Sequence, residues 1–291
     1  MLNKLTKIKI LLIFLLFIAL LINRGLIKDY FFSSNESANT NEVKVFGIGN
    51  KDQTSDKSIS VARLAIIIAD LGLQNNVLEK SLHSNPKINL GISIYAENLS
   101  KILKEGSSHY KHDTMVLLPT QSSNYAKNDP GPYALLMDST ISENARKFHD
   151  VISKLISNNI GIYLSPLSAF SFKEDKAMSL VKLLENNENQ FRFFMYYDRD
   201  HSNILTKLLS LSNVLNKTII IDKIIDYGDS DINASLDDLK NTSIIQNEIG
   251  VAIITSQLHS IEILESWIQK NADKIELLSI SDILKTREKK E

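Results

Sequence analysis

The chain has no cysteine, which excludes disulfide bridges, thiol nucleophiles and every zinc or iron–sulfur site built on thiolates. Glycine and proline are scarce, 10 and 5 in 291 residues, so collagen-like and proline-rich readings fail. Net charge is nearly absent: 33 Lys and Arg stand against 34 Asp and Glu, a formal charge of −1. Nucleic-acid binders draw affinity from clustered cations on phosphates, so this balance argues against a nucleic-acid partner. What is present is a globular ratio, 43% hydrophobic and 23% charged residues, which rules out disorder along the whole length. The length suits one large domain or two small ones.

The composition is unevenly spread. Every residue from Ile10 to Ile22 is apolar, with Lys4, Lys7 and Lys9 before the run and Asn23 and Arg24 after it. A basic start followed by an apolar run is the pattern of an export signal. The run is short of the ~20 residues of a full span, but Lys9 and Arg24 can snorkel and lengthen it. No small-residue cleavage site follows, so residues 1–28 are read as an uncleaved signal-anchor, with a cleaved signal as the alternative. The lysines before the run outweigh Arg24 and Lys28 after it, which directs the remainder of the chain away from the cytoplasm. The expected location is the inner membrane, single-pass, with the C-terminal domain in the periplasm; cleavage would release it there. Residues 29–60, with the polar stretch Ser33 to Glu42, bury too little apolar surface to offset ordering entropy and are read as a flexible linker.

From Val61 the pattern changes. Short apolar, β-branched runs recur at Leu64–Ile68, Ile88–Ile94, Met115–Leu118, Ile160–Leu164, Phe191–Tyr197, Thr218–Ile221, Val251–Thr255 and Ile275–Ile280. Continuous apolar runs of this length predict strands covered on both faces. Helical stripes lie between them: Phe148, Val151, Ile152, Leu155 and Ile156; Ala177, Leu180, Val181 and Leu184; Ile204, Leu205, Leu208, Leu209 and Leu215; Leu258, Ile261, Leu264 and Ile268. Thr140-Ile141-Ser142-Glu143 fits a capping box opening the first. Strands alternating with helices imply parallel β/α units, and eight candidate strands over residues 61–291 suit a barrel. No Gly-rich phosphate loop follows any strand, so a nucleotide-binding open sheet is disfavoured.

In such folds chemistry sits at the carboxyl ends of the strands. Asp70, Ser165, Asp198 to His201, Asp222 and Ser256 pass that test. His109-x-x-His112 has metal-like spacing but precedes its strand, which places it at the opposite end. His83, His149 and His259 have no second ligand nearby, and no G-x-S-x-G nucleophile elbow occurs. For Asp198-Arg199-Asp200 the preferred reading is a solvated, self-paired loop, and for Asp222 a helix or turn cap. Tyr163, Phe170, Phe172, Tyr196, Tyr197 and Tyr227 are candidate sugar-stacking aromatics, although aromatics at such spacings are more often core.

Several segments together resemble the divergent polysaccharide deacetylases. Ile66-Ile67-Ile68-Ala69-Asp70-Leu71-Gly72-Leu73 is similar to that family's IVIDDLGL opening. Leu117-Leu118-Pro119 resembles its LLHLPME segment, and Asp129-Pro130-Gly131-Pro132 with Leu135-Leu136 its PGP-x-x-LL stretch. Ile160 to Ser168 is similar to VGVNNHMGS, Ile220-Ile221-Asp222 to FLD, Ile253 to Gln257 to AIGHP, and Leu264 to Trp267 to LEEWL. The likeness runs from about Arg63 to Leu284. It implies an α/β fold, an irregular (β/α)7–8 barrel of the polysaccharide deacetylase type, preceded by the N-terminal hydrophobic helix and linker.

The departures carry as much meaning. The resemblance implies a catalytic Asp as base and a second Asp with two His holding a divalent metal that activates water. Here the first Asp position is Ala69. Asp70 is retained, the only candidate metal ligand among these positions. The His positions are Leu117, Ser165 and Ser256. One carboxylate cannot replace three protein ligands. We therefore read Asp70, Leu117, Ser165, Asp222 and Ser256 as a vestigial cleft with no catalytic residue and no cofactor, that is, a pseudoenzyme. The expected partners are an envelope glycan or envelope proteins, with the membrane engaged through the N-terminal helix. The alternative is an active envelope-polysaccharide deacetylase with a rearranged site, in which Asp198, Asp200, His201 and Asp222 join Asp70 around Zn²⁺ or Mg²⁺.

Overall fold

The computed structural model describes residues 61–122, 129–166, 168–198, 202–225 and 231–288. The anchor and linker read over residues 1–60 lie outside them. No helix among the described residues is long and apolar enough to cross a membrane.

Among the described residues nine strands run in chain order: β1 Ala62–Leu71, β2 Asn89–Ile92, β3 Thr114–Leu118, β4 Gly161–Leu164, β5 Phe194–Tyr197, β6 Thr218–Ile221, β7 Lys223–Ile225, β8 Ile249–Thr255 and β9 Ile275–Leu277. Eight α-helices alternate with them among the described residues: α1 Asn75–Leu82, α2 Leu99–Lys104, α3 Ile141–Ile152, α4 Glu174–Asn186, α5 Ile204–Leu209, α6 Ile232–Gln246, α7 Leu258–Lys270 and α8 Ile280–Glu288. Every ladder between named strands is parallel, as strand–helix–strand connection requires.

The strand order is β6-β5-β4-β3-β2-β1-β8-β7, with β9 paired to β1 off this path. Its two ends, β6 and β7, are consecutive in sequence and separated only by Asp222. β6 pairs with β5, and after Asp222 the same chain pairs with β8. The sheet thus curls into a nearly closed parallel barrel, its gap spanned by a chain that changes partners at one residue. On the other flank, β1 pairs with β9 at Ala62–Leu64 and with β2 from Ile67 onward. Asn89 occupies this seam: its Nδ2 donates to the Ile66 carbonyl at 3.1 Å, and its Oδ1 accepts from the Ile280 amide at 2.9 Å.

Strand alternation splits the core in two. Ala65, Ile67 and Ala69 of β1 join Met115, Tyr163, Phe193, Met195, Ile219, Val251 and Ile253 inside the barrel. Leu64, Ile66 and Ile68 face outward beneath the helices. Both faces are therefore covered, which is why the strands read as unbroken apolar runs. Two glycines give the interior room. A Cβ on Gly161 would lie 2.1 Å from Cε2 of the Phe193 ring, and one on Gly91 3.0 Å from Cε1 of Tyr163. The strands' amino-terminal end is closed by α8, whose Ile280, Ile283 and Leu284 join the inner core. Asp113 fastens that helix by accepting from the Ser281 amide and hydroxyl, each at 2.5 Å. Arg287 donates to the Thr218 carbonyl at 2.6 Å.

Sequence expectations and structure differ in places. The Thr140–Glu143 capping box is present, with Glu143 N donating to Thr140 Oγ1 and Thr140 N to Glu143 Oε2. Its helix, however, stops at Ile152, before Leu155 and Ile156. Leu215 lies in a separate 3-10 turn beyond α5. The last apolar run divides: Ile275–Leu277 is strand, while Ile280 opens α8, its amide donating to the Asn89 side-chain Oδ1. β7, only three residues long, escapes any period-based reading.

Candidate functional site: a strand-end mouth around Asp70

β1 ends in a backbone irregularity that decides which side chains enter the mouth. Asp70 has φ +59°, and its register with β2 shifts between Ile68 and Leu71. A left-handed turn at a non-glycine residue is unusual, and Asp tolerates it better than most. Ala69 keeps the inward alternation, and the turn lets the next residue reach inward as well. The phenol of Tyr163, from β4, donates to Asp70 Oδ1 at 2.9 Å, and the Asp70 amide donates to the same phenolic oxygen at 3.1 Å.

Tyr163 is fully buried, and burial pushes its phenol well above the ordinary tyrosine range. It remains a donor throughout the physiological pH range. Asp70 retains exposed surface at the mouth but is enclosed on its other sides. This desolvation raises its carboxyl, while the Tyr163 hydrogen bond pulls in the opposite direction and does not overcome it.

The remaining positions distribute as follows. Ser256, just after β8, donates from Oγ to the Asp70 carbonyl at 3.2 Å. Leu117 of β3 pairs in register with Tyr163 and packs against the inner core. Ser165 follows the end of β4, and its Oγ accepts from the Thr120 amide at 3.3 Å. Beside it, Thr120 Oγ1 and Ser122 Oγ are buried with no hydrogen-bond partner among the described residues. Asp70, Ser256, Leu117 and Ser165 thus stand at the carboxyl ends of β1, β8, β3 and β4. Asp222 is held elsewhere. Its Oδ2 accepts from Val251 N at 2.7 Å and its amide donates to Val251 O at 2.9 Å, both in the β6-to-β7 crossing. It bridges strands and is not the helix or turn cap expected.

Asp198 also departs from expectation. Far from being solvated, it is 3% exposed. It accepts from the Ser202 and Asn203 amides, each at 3.2 Å, and from the Thr206 hydroxyl, and so organises the start of α5. Arg199, Asp200 and His201 lie outside the described residues. His112 is 3% exposed, with Nδ1 2.8 Å from the Ile88 carbonyl and Nε2 3.0 Å from the Leu82 carbonyl. Both ring nitrogens of His112 lie against backbone carbonyls, so this histidine has a structural role. Of the candidate aromatics, Tyr163, Phe170 and Tyr196 are core residues, with Tyr196 bonded to Thr206 and its phenol raised to about 12 by burial. Phe172 is exposed, Tyr197 half-buried, and Tyr227 outside the described residues. Sequence reasoning missed the Tyr163–Asp70 pair, since a tyrosine inside an apolar run carries no mark of its partner.

Residues 66–284 match the family model described as divergent polysaccharide deacetylase. The chain belongs to the divergent polysaccharide deacetylase family. No curated protein matches it. Among solved structures, an uncharacterized protein from Agrobacterium tumefaciens C58 superposes with a TM-score of 0.67 and 17% identity, covering 78% of this chain and 90% of its own. That likeness shows the fold. A GH18 chitinase from Pseudoalteromonas aurantia aligns at a TM-score of 0.36 and 11% identity over 73% of this chain and 99% of its own, too little to bear on either fold or function.

The resemblance to active deacetylases implies a divalent metal, and the described residues at the implied positions do not fit one. Among the described residues no three His, Asp or Glu side chains come together as a ligand set. Asp70 is engaged by Tyr163, the Ser165 hydroxyl by the Thr120 amide and the Ser256 hydroxyl by the Asp70 carbonyl. Leu117 offers no donor atom. A deacetylase-like barrel is present in which the phenol of Tyr163 donates to the retained carboxylate.

Proposed function

We propose that this deacetylase-family protein is a catalytically degenerate member tethered in the cell envelope, binding an envelope glycan or partner protein at the strand-end mouth instead of removing acetyl groups. The observation that carries this reading is the set Ala69, Asp70, Leu117, Ser165 and Ser256. Deacetylation requires a base to take a proton from water and a cation to polarise the amide carbonyl. Ala69 has no acceptor, and Asp70 is held by the phenol of Tyr163. Support for a hydroxyl-rich ligand comes from the polar Asp70 and Ser256, which reach solvent at the mouth. The apolar run from Ile10 to Ile22 and the polar stretch after it support the tether and the extracytoplasmic location.

Co-sedimentation of the full chain with insoluble peptidoglycan, with acetate measured in the supernatant, tests the proposal. Retention without acetate is expected, and Ser165→Trp, which fills the mouth, lowers retention. Acetate release at a steady turnover rate would contradict the degenerate reading.

A further inference from the structure

At the other end of the barrel, by the start of β3, a groove of about 1020 Å³ opens between the α2 side and the connection from α3 to β4. Its charge is one-sided. Lys101, Lys104, Lys111 and Arg192 line it, and Asp113 is the only lining carboxylate. Asp113 is already engaged by Arg192 at 3.4 Å and by the Ser281 amide and hydroxyl at 2.5 Å. Lys101 touches Glu105 only at 3.8 Å, and neither Lys104 nor Lys111 has an ion-pair partner among the described residues.

The local backbone gathers these cations. Lys101 and Lys104 are three apart on α2 and so share a face. The helix then continues as a π-turn, Glu105–His109, a rare form found often at functional positions. Lys111 follows in the left-handed region at φ +64°, a strained conformation for a residue with a Cβ. The strained turn is pinned by its neighbour His112, buried with both ring nitrogens on backbone carbonyls. The next strand opens with Thr114, which lines the groove and whose Oγ1 is buried without a hydrogen-bond partner among the described residues.

We propose that this groove is an oxyanion site for a phosphate group. Lysine ammoniums serve phosphate as point charges and Arg192 adds planar donors, while serine hydroxyls at the rim supply neutral ones. No Phe, Tyr or Trp lines the groove, so nothing there stacks a base or a sugar ring. With Asp113 offsetting Arg192, the three lysines still repel one another, and a bound dianion relieves that repulsion. The proposal is independent of the strand-end mouth. The phosphate could be that of a soluble or polymeric ester or of an anionic lipid headgroup.

The test uses the full chain in detergent, titrated calorimetrically with inorganic pyrophosphate, and in parallel mixed with vesicles of phosphatidylglycerol in phosphatidylcholine or of phosphatidylcholine alone. Saturable pyrophosphate binding that weakens with salt is expected if the phosphate is soluble or polymeric. A preference for phosphatidylglycerol vesicles without it indicates a headgroup. In either case Lys104→Gln with Lys111→Gln weakens binding at least tenfold, and Lys270→Gln, outside the groove, leaves it unchanged. Both lysines are exposed, so an unaltered melting temperature in the absence of anion certifies the fold. Absence of both kinds of binding, or binding untouched by the double substitution, would overturn the proposal.

Discussion

Tyr163 and Asp70 exchange two hydrogen bonds across the mouth of the barrel: the phenol donates to Oδ1 at 2.9 Å, and the Asp70 amide donates to the phenolic oxygen at 3.1 Å. The pair ties the end of β1 to β4 and fixes the left-handed turn that brings a second consecutive residue inward. It stands where the resemblance implies a metal-bound carboxylate.

Tyr163→Phe removes both bonds while keeping the ring that fills the space beside Gly91. A carboxylate loses its donor and a partly buried amide its acceptor, so the expected cost is about 1–3 kcal/mol. Urea unfolding with an unchanged slope checks it. An unshifted midpoint would show that water replaces the phenol without loss.

The pH dependence has a definite sign. Burial first, and against it the Tyr163 bond, leave the Asp70 carboxyl above its ordinary value in the folded state. Its contribution to stability is therefore full below the unfolded pKa, about 4, and is lost as pH rises through the folded value. Asp70→Asn removes this component. Urea midpoints between pH 3 and 7 are expected to fall less with rising pH in the variant than in the native chain. Asp282 acts oppositely: burial pushes it up, but Lys87 and Ser279 outweigh that and hold it low, so its contribution is lost as pH falls.

Gly161→Ala places a methyl inside the Phe193 ring, where backbone and ring cannot both stay. A loss of about 3 kcal/mol is expected, as for overpacked cores. Adding Phe193→Leu recovers part of it. If the single variant melts like the native chain, the interior is looser than its geometry implies.

Much of this was legible in the sequence. Eight apolar runs marked the strands because parallel strands covered on both faces leave period-free signals, and the Thr140 capping box announced α3. β7 was not legible, since three residues after Asp222 have no period to show and their role is to change partners. The mouth was legible as positions, not as interactions. Asp70, Ser165 and Ser256 follow from where strands end and Leu117 from the family resemblance, but whether a carboxylate meets a cation or a phenol depends on contacts between β1 and β4, 93 residues apart. The partners of Asp198 and Asp222 carried no mark either: the first accepts from the Ser202 and Asn203 amides just before α5, the second from the Val251 amide of β8.

The most direct test of the degenerate mouth is metal content and acetate release measured together on the full chain. The protein is purified without chelator, supplied with Zn²⁺ and offered acetylated chitooligosaccharides and peptidoglycan. The account predicts metal far below one equivalent and acetate no faster than in buffer. One equivalent of zinc, with acetate release abolished by Asp70→Ala, would contradict it.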